Sequence, residues 1–141
     1  FGSLHANTAQ ETVTRMINPP MSVPPIMLTG LDLIIIQARL HVNGKTARKI
    51  TEVAEIAGME GSKPRLNTIW KYNASTDQIE ETGIPSNLRE VICRAAGVTP
   101  DVFEKHVNQR QQIIEDLIAR DITDIQSVTT VIQNFYAQSH H

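Results

Sequence analysis

Apolar positions along this chain follow two regimes. Up to about residue 84 they come in short runs and alternations. From Ser86 onward they recur at helical spacing. Phe1-Gly2-Ser3-Leu4-His5-Ala6-Asn7 reads as the end of a buried strand running into a loop. Thr8 then reads as a helix N-cap with Glu11 as its capping-box partner, and Val13, Met16 and Ile17 supply the apolar face. Asn18-Pro19-Pro20 ends that helix. A short helix is predicted from Pro25 to about Gly30, with proline in the first turn and glycine at the end.

Residues 31–40 are apolar on both faces at their centre and rich in isoleucine, the pattern of a strand buried inside a sheet. Asn43-Gly44 predicts a tight hairpin turn, and residues 47–57 alternate imperfectly as the returning strand. A loop is expected over 58–64, then strands over 66–72 and 78–82 around a turn at 73–77. Trp70 reads as a core or hairpin residue.

Ser86 opens a helix carrying Leu88, Val91, Ile92 and Ala95, which Gly97 ends. Thr99-Pro100 opens a longer one, with Val102, Phe103, Val107, Arg110, Ile113, Ile114, Leu117 and Ile118 as its expected buried stripe. Asp124 caps a last helix whose Ile125, Val128, Val131, Ile132, Phe135 and Tyr136 are expected to face inwards. The predicted class is therefore α+β, with a strand-rich part over 1–84 and a helical region over 85–138. His140-His141, within 139–141, reads as the remnant of an affinity tag.

Composition narrows the function classes. A chain of 141 residues is one domain's worth and can bury one sizeable core. Thirteen Lys+Arg against fifteen Asp+Glu give a net charge of −2, so no bulk field draws the chain to nucleic acid or acidic lipid. Only 4% of residues are aromatic, which disfavours a base-stacking single-strand binder. The one cysteine, Cys93, excludes an internal disulfide and a multi-cysteine zinc site, and its apolar helical setting predicts a buried thiol. The longest apolar run, Leu33-Ile34-Ile35-Ile36, is far short of the roughly 20 residues that cross a bilayer. The first residue is Phe1 rather than Met, and it falls within a strand-like pattern, so the chain reads as a piece of a longer protein.

Candidate chemistry is sparse. Gly44-Lys45-Thr46 matches the tail of a phosphate-binding loop, but position 39 is Arg where that loop needs its first glycine. A hairpin is the better reading. Arg39, Lys45, Arg48 and Lys49 lie between Asp32 and Glu52 with no acid among them. They form either a solvated hairpin or a basic surface for a nucleotide phosphate or a neighbouring subunit. His5, at the end of the expected strand, stands where α/β proteins bind ligands. His41 and His106 have no ligand partners at metal spacing. A helix-turn-helix over 89–107 is a further reading, weakened by acids at the start of its second helix, Asp101 and Glu104.

The segment Gly2-Ser3-Leu4-His5-Ala6-Asn7-Thr8-Ala9-Gln10-Glu11 with Arg15-Met16 resembles the histidine box of the type II/type IV secretion, pilus and archaellum motor ATPases. Asn18-Pro19-Pro20 through Leu31-Asp32-Leu33-Ile34-Ile35-Ile36-Gln37 resembles the next helix and strand of that family. Arg48-Lys49-Ile50-Thr51-Glu52-Val53-Ala54-Glu55-Ile56 resembles its basic strand. The order of these segments covers nearly the whole chain, and the hairpin over 67–82 and the helical tail resemble archaeal members most.

The resemblance implies the C-terminal portion of a RecA-like α/β core followed by a helical cap. It implies a hexameric ring of copies that binds ATP and Mg between subunits and drives filament assembly or protein secretion. It further implies a membrane platform protein as partner, no nucleic acid, and a cytoplasmic place at the inner face of the membrane. His5 would contact or sense the γ-phosphate, while Asn7, Arg39 and Arg48 would contact nucleotide or a neighbouring subunit. No metal ligand is expected in this chain. The phosphate loop and magnesium-binding acids lie upstream in the family, so the chain alone is expected to bind no cofactor and hydrolyse no ATP. The alternatives are a non-catalytic module that docks to the platform protein and the helix-turn-helix DNA reader.

Overall fold

The computed structural model describes residues 1–42 and 44–139. The protein is α+β: a four-stranded antiparallel sheet with helices. It divides into two compact units, Phe1–Val91 and Ile92–His141.

In the first unit, helix α1 (Ala9–Ile17) is followed by a 3-10 turn (Pro25–Gly30). The chain then meanders through β1 (Leu33–Val42), β2 (Lys45–Glu60), β3 (Lys63–Asn73) and β4 (Gln78–Glu81). The sheet order is β1-β2-β3-β4. α1 and the 3-10 turn cover one face. Ala9, Val13 and Leu28 pack on Ile34, Ile36 and Ala54, ringed by Met16, Ile17, Val23, Leu31, Ile56 and Leu66. Leu28, 1% exposed, contributes about 1.5–3 kcal/mol by its burial. Capping fixes where α1 starts: the Glu11 amide donates to Thr8 Oγ1 at 3.0 Å. The reciprocal half of the capping box is displaced by one residue, because Glu11 Oε2 accepts from the Asn7 amide at 2.8 Å rather than from Thr8.

Four expectations are corrected. Residues 1–6 form no strand and Phe1–His5 are exposed; a strand needs a neighbour to take its hydrogen bonds, and none among the described residues pairs with this segment. β1 is not interior but the edge of the sheet, with Ile34 and Ile36 buried while Leu33 and Ile35 are 40% and 55% exposed. The predicted loop over 58–64 is a continuous hairpin, in which β2 runs on to Glu60 and Glu60 pairs with Lys63 across Gly61-Ser62. Gly58, at φ +110, marks a bulge between Ile56 and Met59 rather than a strand end.

The fourth correction concerns the second unit. It holds the end of α2 (Asn87–Ala96) together with α3 (Pro100–Ala119) and α4 (Ile125–Ser139). Gly97, at φ +65, closes α2 in a Schellman motif, with the Val98 amide donating to the Cys93 carbonyl. The Arg110 guanidinium lies 5.6 Å and 5.7 Å from the Phe135 and Tyr136 ring centres. The expected buried stripe is realised only in part. Leu117 is buried, but Ile114, Ile118 and Ile125 are 58%, 73% and 82% exposed, since one antiparallel helix pair cannot enclose all its own apolar surface. Cys93 is buried, as its setting predicts.

Candidate functional site

β2 carries the organising chemistry of the first unit. Glu52 and Glu55 are three residues apart on an extended strand, so they point to opposite faces. Glu52 Oε2 accepts from the Ala9 amide at 2.8 Å, in the first turn of α1, and Oε1 accepts from Thr68 Oγ1 at 3.0 Å. Glu55, 3% exposed, turns to the other face. Its Oε2 accepts from the Asn87 amide at 2.7 Å and the Leu88 amide at 3.3 Å, and Ser86 Oγ donates a short bond to Oε1. Ser86 Oγ in turn accepts from the Arg89 amide. Both carboxylates therefore satisfy orphan amides at the positive end of a helix. A buried carboxylate with three donors is anchored rather than poised to react. In the sequence Glu52 and Glu55 stand out only as members of the segment that resembles a basic strand.

Arg39 and Arg48 are brought together. They are directly opposed partners on β1 and β2, both exposed, and neither has an ion pair among the described residues. Opposed like charges cost stability. His41 and Thr46, also partners, share that face two residues on, with His41 Nδ1 3.4 Å from Thr46 Oγ1. The end of the β1–β2 hairpin is thus a basic, donor-rich patch. Lys49 belongs to the other face and is occupied there. Its Nζ lies 2.5 Å from Asp77 Oδ1, which also accepts from Tyr72 Oη at 2.6 Å. These bonds, Lys49's first, hold the Asp77 carboxyl below its usual range, and Asp77 pushes the Tyr72 phenol up.

His5 and Asn7 lie just ahead of Thr8, and no hydrogen bond or ion pair among the described residues joins them to Arg39 or Arg48. His5 is exposed and has no hydrogen bond among the described residues. Asn7 is engaged locally, its amide and Nδ2 both donating to Glu11 Oε2 at 2.8 and 3.0 Å. Those bonds, with Arg15, lower the Glu11 pKa.

Lys45 and Thr46 lie within β2, so Gly44-Lys45-Thr46 opens no helix and cradles no phosphate. Gly44 stands at φ +75 and Val42 pairs with Lys45; Asn43 and the pair His140-His141 lie outside the described residues. Among the described residues no group of three or more metal-ligating side chains gathers, and no helix is long and apolar enough to cross a membrane.

No family model matches the chain. It is similar to three uncharacterized proteins of Methanocaldococcus jannaschii. It is 36% identical over 136 residues to MJ0781, covering 95% of this chain and 19% of that protein. It is 27% identical over 143 residues to MJ0900, covering 96% and 26%. With MJ1287 it is 25% identical over 119 residues, covering 83% and 44%. The chain thus spans between about a fifth and under half of the length of these archaeal relatives.

Proposed function

We propose that the chain is the C-terminal part of a hexameric, RecA-like motor ATPase that powers secretion or the assembly of pilus-like filaments. The observation that carries this reading is the Arg39–Arg48 pair. Two exposed guanidiniums held opposite each other without an acid repel in the free chain, and an anion placed between them turns that cost into attraction. In the ring this anion is the nucleotide phosphate of the same or a neighbouring subunit, with Mg and the phosphate loop supplied from outside this chain. His5, exposed just ahead of α1, donates from its imidazole to charge that develops at the γ-phosphate, or senses it. Asn7 positions the histidine segment through Glu11. The place of work is the cytoplasmic face of the membrane, against a platform protein.

The test is Arg48→Glu, made in this chain and in the longer protein that contains it. In the chain, an Arg–Glu cross-strand pair replaces repulsion and raises stability by up to about 1 kcal/mol. In the longer protein, turnover falls roughly 10²-fold or more. Unchanged turnover in a well-folded longer protein refutes the role.

A second reading is favoured by one observation in the helical unit. Val107, Ile114, Ile118 and Ile125 leave apolar surface exposed along α3 and at the start of α4. That surface suits docking to a platform protein without catalysis.

A further inference from the structure

The two edges of the sheet are built differently. β4, at one edge, is four residues long, exposed throughout, and carries Glu80 and Glu81. Short, charged strands are how proteins blunt an edge against pairing. β1, at the other edge, is ten residues long, has no proline and carries one full charge, Arg39. It pairs with β2 along its whole length, from Leu33–Glu55 to Val42–Lys45. Alternate N–H and C=O groups of β1 therefore point away from its partner, with no other strand among the described residues to take them. Its first half is apolar on both faces, Ile34 and Ile36 against the core and Leu33 and Ile35 on the other side. Such a strand belongs inside a sheet.

We propose that the free edge of β1 is completed by a further strand of the same polypeptide, from outside these 141 residues. More than half of each archaeal relative lies outside the part that matches this chain, so ample polypeptide is present to supply one. The proposal rests on reading the chain as one part of a larger protein. The edge also specifies the strand's chemistry. Beside Leu33–Ile36 it is apolar on both faces. Beside Arg39 and His41 it carries at least one carboxylate on the face that those side chains share.

Hydrogen–deuterium exchange over β1 tests this, in the longer protein and in this chain alone, with ATP turnover measured on the same longer sample. The expected result is that about half of the β1 amides exchange roughly tenfold or more slowly in the longer protein, while β2 and β3 are equally protected in both. Equal β1 exchange in the two overturns the proposal, even where turnover confirms the motor. Slow β1 exchange without turnover upholds it and counts against the motor instead. Protection in the chain alone that rises with its concentration also overturns it, because a second copy then fills the edge.

Discussion

Glu52 and Glu55 stand on opposite faces of β2, and each holds the first turn of a different helix: Glu52 accepts from Ala9 of α1, Glu55 from Asn87 and Leu88 of α2. One strand thereby fixes where both helices begin. The arrangement ties the segment that carries His5 to the same strand that carries Arg48.

The two anchors differ in burial, so they differ in cost. Removing Glu55 strands two helix amides and a serine hydroxyl in a site that is 3% exposed. Glu55→Ala is expected to cost about 1–3 kcal/mol. Glu52→Ala removes one helix amide's acceptor and the Thr68 bond, and is expected to cost about 0.5–2 kcal/mol. Urea midpoints at constant slope measure both. Glu55→Ala no more harmful than a surface substitution would contradict the anchoring role.

Asp77 gives the fold a signed pH dependence. Its carboxyl is held below the usual range by the bonds from Lys49 and Tyr72, so its stabilisation is present above the unfolded value of about 4 and is lost as pH falls through the lower folded value. Glu11, Glu80 and Asp124 are lowered as well, by the Asn7 amide, the Thr76 hydroxyl and the Ser127 amide in turn, and add to the same acid loss. Asp77→Asn should lower the melting temperature at pH 7, and its difference from the unaltered chain should narrow as the pH falls below the usual Asp value of about 4. A difference that stays constant with pH would contradict this.

His5 is exposed and makes no hydrogen bond among the described residues, so its loss should leave folding intact. In the longer protein, His5→Ala is expected to lower turnover about 10²–10³-fold, as for a lost transition-state donor, with nucleotide affinity changed much less. Near-normal turnover in a folded hexamer would remove it from the mechanism.

Much of this was legible from local chemistry. The Thr8 and Thr99 caps, the Gly97 helix end and the strands around 73–77 follow from single residues whose preferences are strong. The edge position of β1 was not legible, because Leu33–Ile36 encode a two-sided apolar strand whatever lies beside them. Gly58 and Pro64 suggested a loop, yet β2 absorbs the glycine as a bulge and Pro64 is accommodated in β3. Asp121, at φ +52, closes α3 where glycine is the usual signal, so that end carried no mark. Of the candidate site, the absence of acids around Arg39 and Arg48 was readable, and their direct opposition follows from the Val42–Lys45 register that the two-residue turn sets, since both lie on the turn side of the bulge between Ile36 and Gln37. The two helix anchors on β2 needed the fold itself, since each acceptor lies more than thirty residues from its amide.

The most direct test of the motor reading is steady-state phosphate release with millimolar Mg-ATP, measured side by side on this chain and on the longer protein that contains it. The account predicts turnover by the longer protein and none by the chain above a heat-killed control, because the chain brings arginines and a histidine but no phosphate loop. Phosphate release by the chain alone, or none by a folded longer protein, would contradict it.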